Sequence, residues 1–298
     1  MRSRRAMGVL AIFLCVVLAA GCGGPEQKKA KFFNKGNALF AKGEFVKAGL
    51  EFRNAIQIDP KYADAYYMLG KVELRQNNLK AAYAAFAKAV ELAPGHLQAH
   101  YEIGKLFLAA REPDMAMEKA ERILKSAPAD EDGLLLKGAV LVAKQNSGAA
   151  IDHLTGVIGR GITKPDAFEL LHAAYLLKRD VKGAEGALRK GLAANDNSVA
   201  LHRALAELLA RTNRFDDAAA EARRIIALEP GNVDHRVALA GLYWRTGKEA
   251  QAREVLREAV AADPKKAETR IRVAGSRAMM TFTAPLVSPA AEAVMAME

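Results

Sequence analysis

Cysteine is almost absent from this 298-residue chain, and its two copies, Cys15 and Cys22, both fall within the first 22 residues. Everything after them lacks a thiol for a disulfide, a redox couple or a thiolate-bound metal. Signatures of catalysis are missing as well. His96 and His100 stand four apart, but no glutamate follows the first to complete a zinc-protease pattern, and Pro94 puts His96 in a turn. No glycine-rich phosphate loop follows a strand pattern, no G-x-S-x-G elbow occurs, and the acidic residues are surface-patterned, with no evident buried pair suited to acid–base work. The expectation is a non-enzymatic chain with no cofactor and no metal. Nor is there a block of one charge. The formal net charge is +10, yet the bases are interleaved with acids, as at Glu221, Arg223 and Arg224 or Arg253 and Glu254. That pattern describes a solvated helix surface and excludes a nucleic-acid-binding face.

What is present is a period. Steps of 34 from Ala48 reach Ala82, Ala116, Ala150, Ala184, Ala218 and Ala252, alanine at every register. The same step from Gly36 gives Gly70, Gly104 and Gly138, then His172, Ala206 and Ala240. Pro60, Pro94, Pro128, Pro230 and Pro264 share a stop position that Ile162 and Asp196 occupy in the middle of the series. Within residues 63–96, Gly70 and Ala82 lack bulk where two helices would cross, and Tyr66, Leu69 and Phe86 fill the space beside the crossing. Asn77 and Asn78 form the turn, and Pro94 ends the second helix. Tyr66, Leu69, Gly70, Ala82, Phe86, Ala89 and Pro94 resemble the tetratricopeptide-repeat (TPR) pattern.

The resemblance implies an all-α fold, a TPR solenoid of antiparallel helix pairs forming a right-handed superhelix, over residues 29–275. Repeats are expected at 29–62, 63–96, 97–130, 131–164, 165–198, 199–232 and 233–266, with a partial one at 267–275. Gly148, Gly156, Gly159 and Gly161 weaken helix propensity in and after the fourth repeat, so the join from Gly159 to Pro165 is a candidate hinge or a variable connector. Residues 276–298 form an atypical tail, with Leu286 where the ladder calls for alanine. The tail is a poor polar cap for a solenoid end and fits a truncated or frame-shifted array.

Residues 1–21 carry Arg2, Arg4 and Arg5 and then an apolar run, Met7 to Ala20, too short for a comfortable membrane span. Leu18, Ala19, Ala20, Gly21 and Cys22 resemble a bacterial lipobox, which implies a signal peptide over 1–21 and lipidation of Cys22. Losing the three arginines takes the net charge from +10 to +7. Multiple acyl chains, at about 0.8 kcal/mol per buried methylene, would hold the chain to a membrane. Gly23 after the cysteine implies the outer membrane, facing the periplasm. Residues 22–28 are expected as a lipidated linker, and Gly23 to Lys29 reaches at most about 25 Å.

A TPR array implies a groove lined by first helices that takes a protein or an extended peptide. In the facing registers the first three repeats present Phe33, Asn37, Tyr67, Lys71, Arg75, Tyr101 and Lys105. Aromatic faces beside amine and amide donors suit a peptide with apolar or acidic side chains, and the aromatics could equally stack between helices. The middle repeats present Leu135, Ala139, Val142, Glu169, Ala173 and Leu176; the last two present Arg203, Glu207, Arg211, Val237, Trp244 and Arg245. His100 and His202 share the register of Tyr66 and are expected to pack with a polar tip. The carboxylate clamp of chaperone-binding TPR domains is not reproduced, since Phe33, Asn37, Met68, Gln98 and Glu102 stand in its registers and only Asn37 matches. The lipobox and short linker resemble TPR lipoproteins of exosortase/PEP-CTERM exopolysaccharide systems and those of secretin or type IV pilus assembly. The function implied is a lipid-anchored scaffold in an envelope machine; a periplasmic regulator binding a peptidoglycan or other envelope enzyme is the alternative.

Overall fold

The computed structural model describes residues 24–262, and the fourteen elements among them are all α-helices. The signal segment, Cys22, the partial repeat and the tail lie outside the described residues. Two compact units divide between Lys144 and Gln145. The first contains α1 (Pro25–Ala41), α2 (Phe45–Ile58), α3 (Ala63–Arg75), α4 (Leu79–Leu92), α5 (Leu97–Ala109), α6 (Pro113–Ser126) and α7 (Glu131–Ala143). The second contains α8 (Ser147–Gly159), α9 (Pro165–Leu177), α10 (Val181–Ala194), α11 (Val199–Arg211), α12 (Phe215–Leu228), α13 (Val233–Arg245) and α14 (Glu249–Ala262). Within each unit a helix packs on its neighbours in sequence, and first helices also meet each other, α1 with α3, α5 with α7, α9 with α11.

The alanine ladder lies in the interior of the array. Ala48, Ala82, Ala116, Ala150, Ala184, Ala218 and Ala252 are all 0% exposed. Across the crossing, a Cβ on Gly70 would stand 2.5 Å from the Phe86 ring and one on Gly36 2.6 Å from Phe52, so the aromatic ring occupies the space a side chain would need. The third repeat solves the same problem differently. Ala120 stands in the phenylalanine register, and Leu136 of α7 takes the room instead, 2.4 Å from where a Cβ of Gly104 would lie. Small residues on one side and a large one on the other thus fill these three crossings to interior density.

The turn inside each repeat carries a second ladder, one that glycine and asparagine only partly reveal. Gly43, Asn77, Arg111, Gln145, Arg179, Asn213 and Gly247 all have positive φ, between 58° and 77°, at steps of 34. The following amide closes the helix end in a Schellman pattern, as in Asn78 N–H to the Glu73 carbonyl (2.8 Å) and Asp180 N–H to the Tyr175 carbonyl (2.9 Å). Arginine and glutamine tolerate this conformation poorly, at about 1–2 kcal/mol, so packing of the two helices imposes it.

Joins between repeats are tied by side chains. Asp130 accepts from Gly133 N–H (2.7 Å) and Ser198 from Leu201 N–H (3.3 Å), capping the helices that follow, and Asp180 does the same for Gly183 N–H (2.8 Å) at the turn inside the fifth repeat. Pro25, Pro113 and Pro165 open α1, α6 and α9, where no amide hydrogen is needed. A third device ties three of the first helices, α5, α11 and α13, back to the preceding turn. His100 bonds the Pro94 carbonyl (3.0 Å), His202 the Asp196 carbonyl (2.9 Å) and Arg236 the Pro230 carbonyl (2.7 Å), each six residues back. His202 also holds Glu221 at 2.6 Å, whereas the buried Nδ1 of His100 has no partner and burial holds its pKa below the ordinary histidine value.

Two expectations change. Residues 25–28, read as linker, are the first turn of α1, because Pro25 sits at N1 and Lys29 ion-pairs with both Glu26 (2.7 Å) and Asp59 (2.8 Å). The glycine-rich join is not loose: α8 runs to Gly159, Gly161 takes φ +91°, Ile162 is buried, and Asn195 Nδ2 donates to the Thr163 carbonyl at 2.7 Å. Arg179→Gly should relieve the left-handed strain and stabilise the protein by about 0.5–1 kcal/mol net of glycine's entropy. Lys178→Gly, one residue earlier at an αR position, should destabilise by about 0.5–1 kcal/mol, so opposite shifts in urea midpoint are the expected result.

Candidate partner-binding faces of the first helices

In the first unit the aromatic row is part of the packing. Phe33 lies with its ring 4.9 Å from Tyr62 and 5.7 Å from Phe52. One repeat later Tyr67 stands 4.8 Å from His96 and 5.7 Å from Phe86, the same three registers in the same arrangement. Tyr101 packs against the Ala120, Ile123 and Leu136 cluster. Phe33 and Tyr67 each wedge between their first helix, the paired second helix and the turn after it, and Tyr101 between α5, α6 and α7. Half-burial pushes the Tyr67 hydroxyl up to about 12, so the phenol stays neutral.

The bases ride on these rings. Lys71 Nζ is 5.6 Å from the Tyr67 centroid and 5.5 Å from Phe40, a second platform in the turn end of α1. Arg75 stacks 5.9 Å over Phe45, and Lys105 lies 5.1 Å over Tyr101 with Glu102 at 3.1 Å. Contacts of this kind are worth about 0.5–1 kcal/mol at exposed sites and leave N–H donors available. Among the described residues Lys71 and Arg75 meet no carboxylate at ion-pair distance, so their charge faces outward unneutralised. Asn37 lies half-buried on α1. Phe40 and Phe45 escaped the sequence reading because they flank the turn and match no first-helix register; an aromatic on both sides of Gly43 was the available signal.

The second unit holds cavities instead of a ring platform. One, of about 410 Å³, is lined by Glu169, His172, Leu176, Arg203, Glu207 and Arg211 among others. A second, of about 230 Å³, has Arg203, Glu207 and Arg245 at its rim and Ile225, Leu239 and Leu242 at its floor. Arg203 and Glu207 border both, so the two hollows adjoin along α11. Small side chains make the space: Ala204, Ala206, Ala210 and Ala238 line it. His172 takes the register that holds glycine in the first unit; its Nδ1 meets the Ala184 carbonyl at 3.2 Å, and burial keeps its pKa below the ordinary value. Burial and Asp166 raise the Glu169 carboxyl, an effect that Arg203 opposes. Among the described residues no three histidines, cysteines or acids gather in a metal-binding group, and no helix is long and apolar enough to cross a membrane.

Repeating paired helices with this turn and crossing define a class. Family profiles match residues 36–77 as "TPR repeat" and 67–131, 170–233 and 213–271 as "Tetratricopeptide repeat". The chain belongs to the tetratricopeptide-repeat family. Similar solved structures include a tetratricopeptide repeat protein from Parabacteroides merdae, 14% identical with TM-score 0.59, covering 84% of this chain and 99% of that one. PilW, a widely conserved type IV pilus biogenesis factor, is 15% identical with TM-score 0.53 over 82% of this chain and 98% of its own. The APC/C hetero-tetramer Cut9–Hcn1 matches at 15% identity and TM-score 0.54, over 86% of this chain and 57% of that one. No curated protein matches by sequence.

The two kinds of residue on the first face separate by mutation. Tyr67→Ala should remove a wedge and cost about 1–3 kcal/mol, whereas Lys71→Ala should cost no more than about 1 kcal/mol. Denaturant unfolding of the two variants measures the difference, and equal losses would contradict the assignment of Tyr67 to the packing.

Proposed function

We propose that this TPR protein is a lipid-anchored scaffold on the periplasmic side of the bacterial envelope, holding partners of an export or assembly machine on its first-helix faces. The observation that carries the reading is the face of α3, where Lys71 and Arg75 stand over aromatic rings without an acid to neutralise them. Such an arrangement is built to meet another chain: the rings hold the bases in place, and the bases supply charge-assisted hydrogen bonds. Phe33, Asn37, Tyr67, Tyr101 and Lys105 complete that face, the aromatics as its frame and the polar groups as its contacts.

The anchor rests on Leu18 to Cys22. Because α1 starts at Pro25, only Gly23 and Gly24 separate a lipidated Cys22 from the first helix. The first repeat would then lie against the membrane surface, and a membrane-proximal partner would meet α1 and α3 first. PilW shares the fold and is a pilus biogenesis factor, which makes secretin and pilus assembly the first machine to test, with exopolysaccharide export beside it. Cys22→Ala should abolish incorporation of a radiolabelled fatty acid and move the protein out of the membrane fraction. Normal processing with full membrane retention would contradict the anchor. Lysine-reactive crosslinking in intact cells, followed by mass spectrometry, should recover one envelope protein in preference to others; recovery of no partner would contradict the scaffold.

A further inference from the structure

The groove along α11 in the second unit has a chemistry of its own. Arg203, Arg211 and Arg245 are exposed and, among the described residues, none has a carboxylate at ion-pair distance, although Glu169 and Glu207 line the same cavities. Some other exposed arginines of this unit are neutralised: Arg214 takes Glu185 and Asp217, Arg189 takes Glu185, Arg257 takes Glu254. Arg160, Arg179 and Arg224 are also exposed without a carboxylate partner among the described residues, but none of them lines these cavities. Three guanidinium groups around an apolar floor are therefore left with unfilled donors. Arg203 and Arg211 lie eight residues apart on one helix face, about 12 Å along its axis. Arg211 and Arg245 hold the same register in consecutive repeats.

We propose that this groove binds an extended acidic segment of a partner protein, its carboxylates taken by Arg203, Arg211 and Arg245. Side chains on one face of an extended chain repeat about every 7 Å, so glutamates two and four positions apart bracket the arginine spacing on α11. The acceptors in the groove argue for an extended ligand and against a helix. Glu207, Glu169 and the Nε2 of His172, whose Nδ1 is committed to the Ala184 carbonyl, need donors once water is displaced. An extended peptide brings free backbone N–H groups; a helix has spent nearly all of its own. The same acceptors disfavour a nucleic-acid strand, which carries phosphate throughout. The small side chains at Ala206, Ala210 and Ala238 give the backbone room to settle between α11 and α13.

This inference rests on the scaffold reading and names the partner chemistry of a second face. The test uses the full chain in detergent and a fluorescein-labelled peptide of alternating glutamate and alanine. Fluorescence anisotropy should show binding that the triple change Arg203→Gln, Arg211→Gln, Arg245→Gln weakens by about tenfold or more. Replacing the peptide glutamates by glutamine should have the same effect, and Arg→Lys at the three positions should fall between. Lys182→Gln with Lys190→Gln, two exposed bases on α10 away from the cavities, should leave affinity within about twofold. The proposal is overturned if the arginine variant binds as wild type, if the lysine variant loses as much, or if a short single-stranded oligonucleotide of equal charge binds as tightly. Circular dichroism melting of each variant separates these outcomes from unfolding. Should the peptide fail while crosslinking in cells still yields a partner, this groove assignment falls and the scaffold reading stands.

Discussion

Close approach of the two helices in each repeat is the constraint on which the rest depends. Alanine at one register and a large ring or leucine at another let the backbones come together, and every ladder alanine is sealed from solvent. One such pair cannot bury its apolar face alone, so each pair needs the next. The left-handed turn residue follows from the same requirement. A two-helix crossing this tight fixes the chain reversal, and Arg111, Gln145 and Arg179 accept a strained backbone because the helices on both sides dictate it. Side chains at fixed positions of the first helix are thereby brought to one face without any local sequence signal directing them there.

That division explains what the sequence revealed. The alanine and glycine ladders were legible because steric absence leaves little choice: at Gly36 or Gly70 any Cβ would meet a phenylalanine ring. The turn ladder was not, since only Gly43, Asn77, Asn213 and Gly247 carry residues that favour positive φ, and the other three were overridden by packing. The linker reading failed at Pro25, where a residue suited to end a helix serves to start one. The glycines of the fourth repeat lowered propensity without breaking α8, because buried Leu154, Val157 and Ile158 hold it. On the candidate face, the recurrence of Phe33, Tyr67 and Tyr101 was visible, but their commitment to packing was not, since an aromatic at a helical period serves a core and a surface equally. The groove of the second unit was hardest to see: alanines create it, and a cavity leaves no residue to notice.

The two units offer different surfaces from one plan. The first sets bases on rings, with Lys71 between Phe40 and Tyr67, a firm and shallow platform. The second sets free arginines and acceptors around an apolar hollow, suited to a ligand that inserts its main chain. Both present donors beside apolar surface, and donors held in place before a ligand arrives lower the ordering cost of binding. Holding other chains is the role we propose for these faces.

Site-specific photo-crosslinking in living cells tests that account most directly. A benzophenone amino acid placed at Lys71 or at Arg211, on first-helix faces, should give a discrete crosslinked band of defined identity. The same probe at Lys80 or Lys190, exposed on the second helices α4 and α10, should not. Equal capture of the same species from both kinds of helix, or bands from the second helices alone, would contradict the claim that the first-helix faces are where this protein meets its partners.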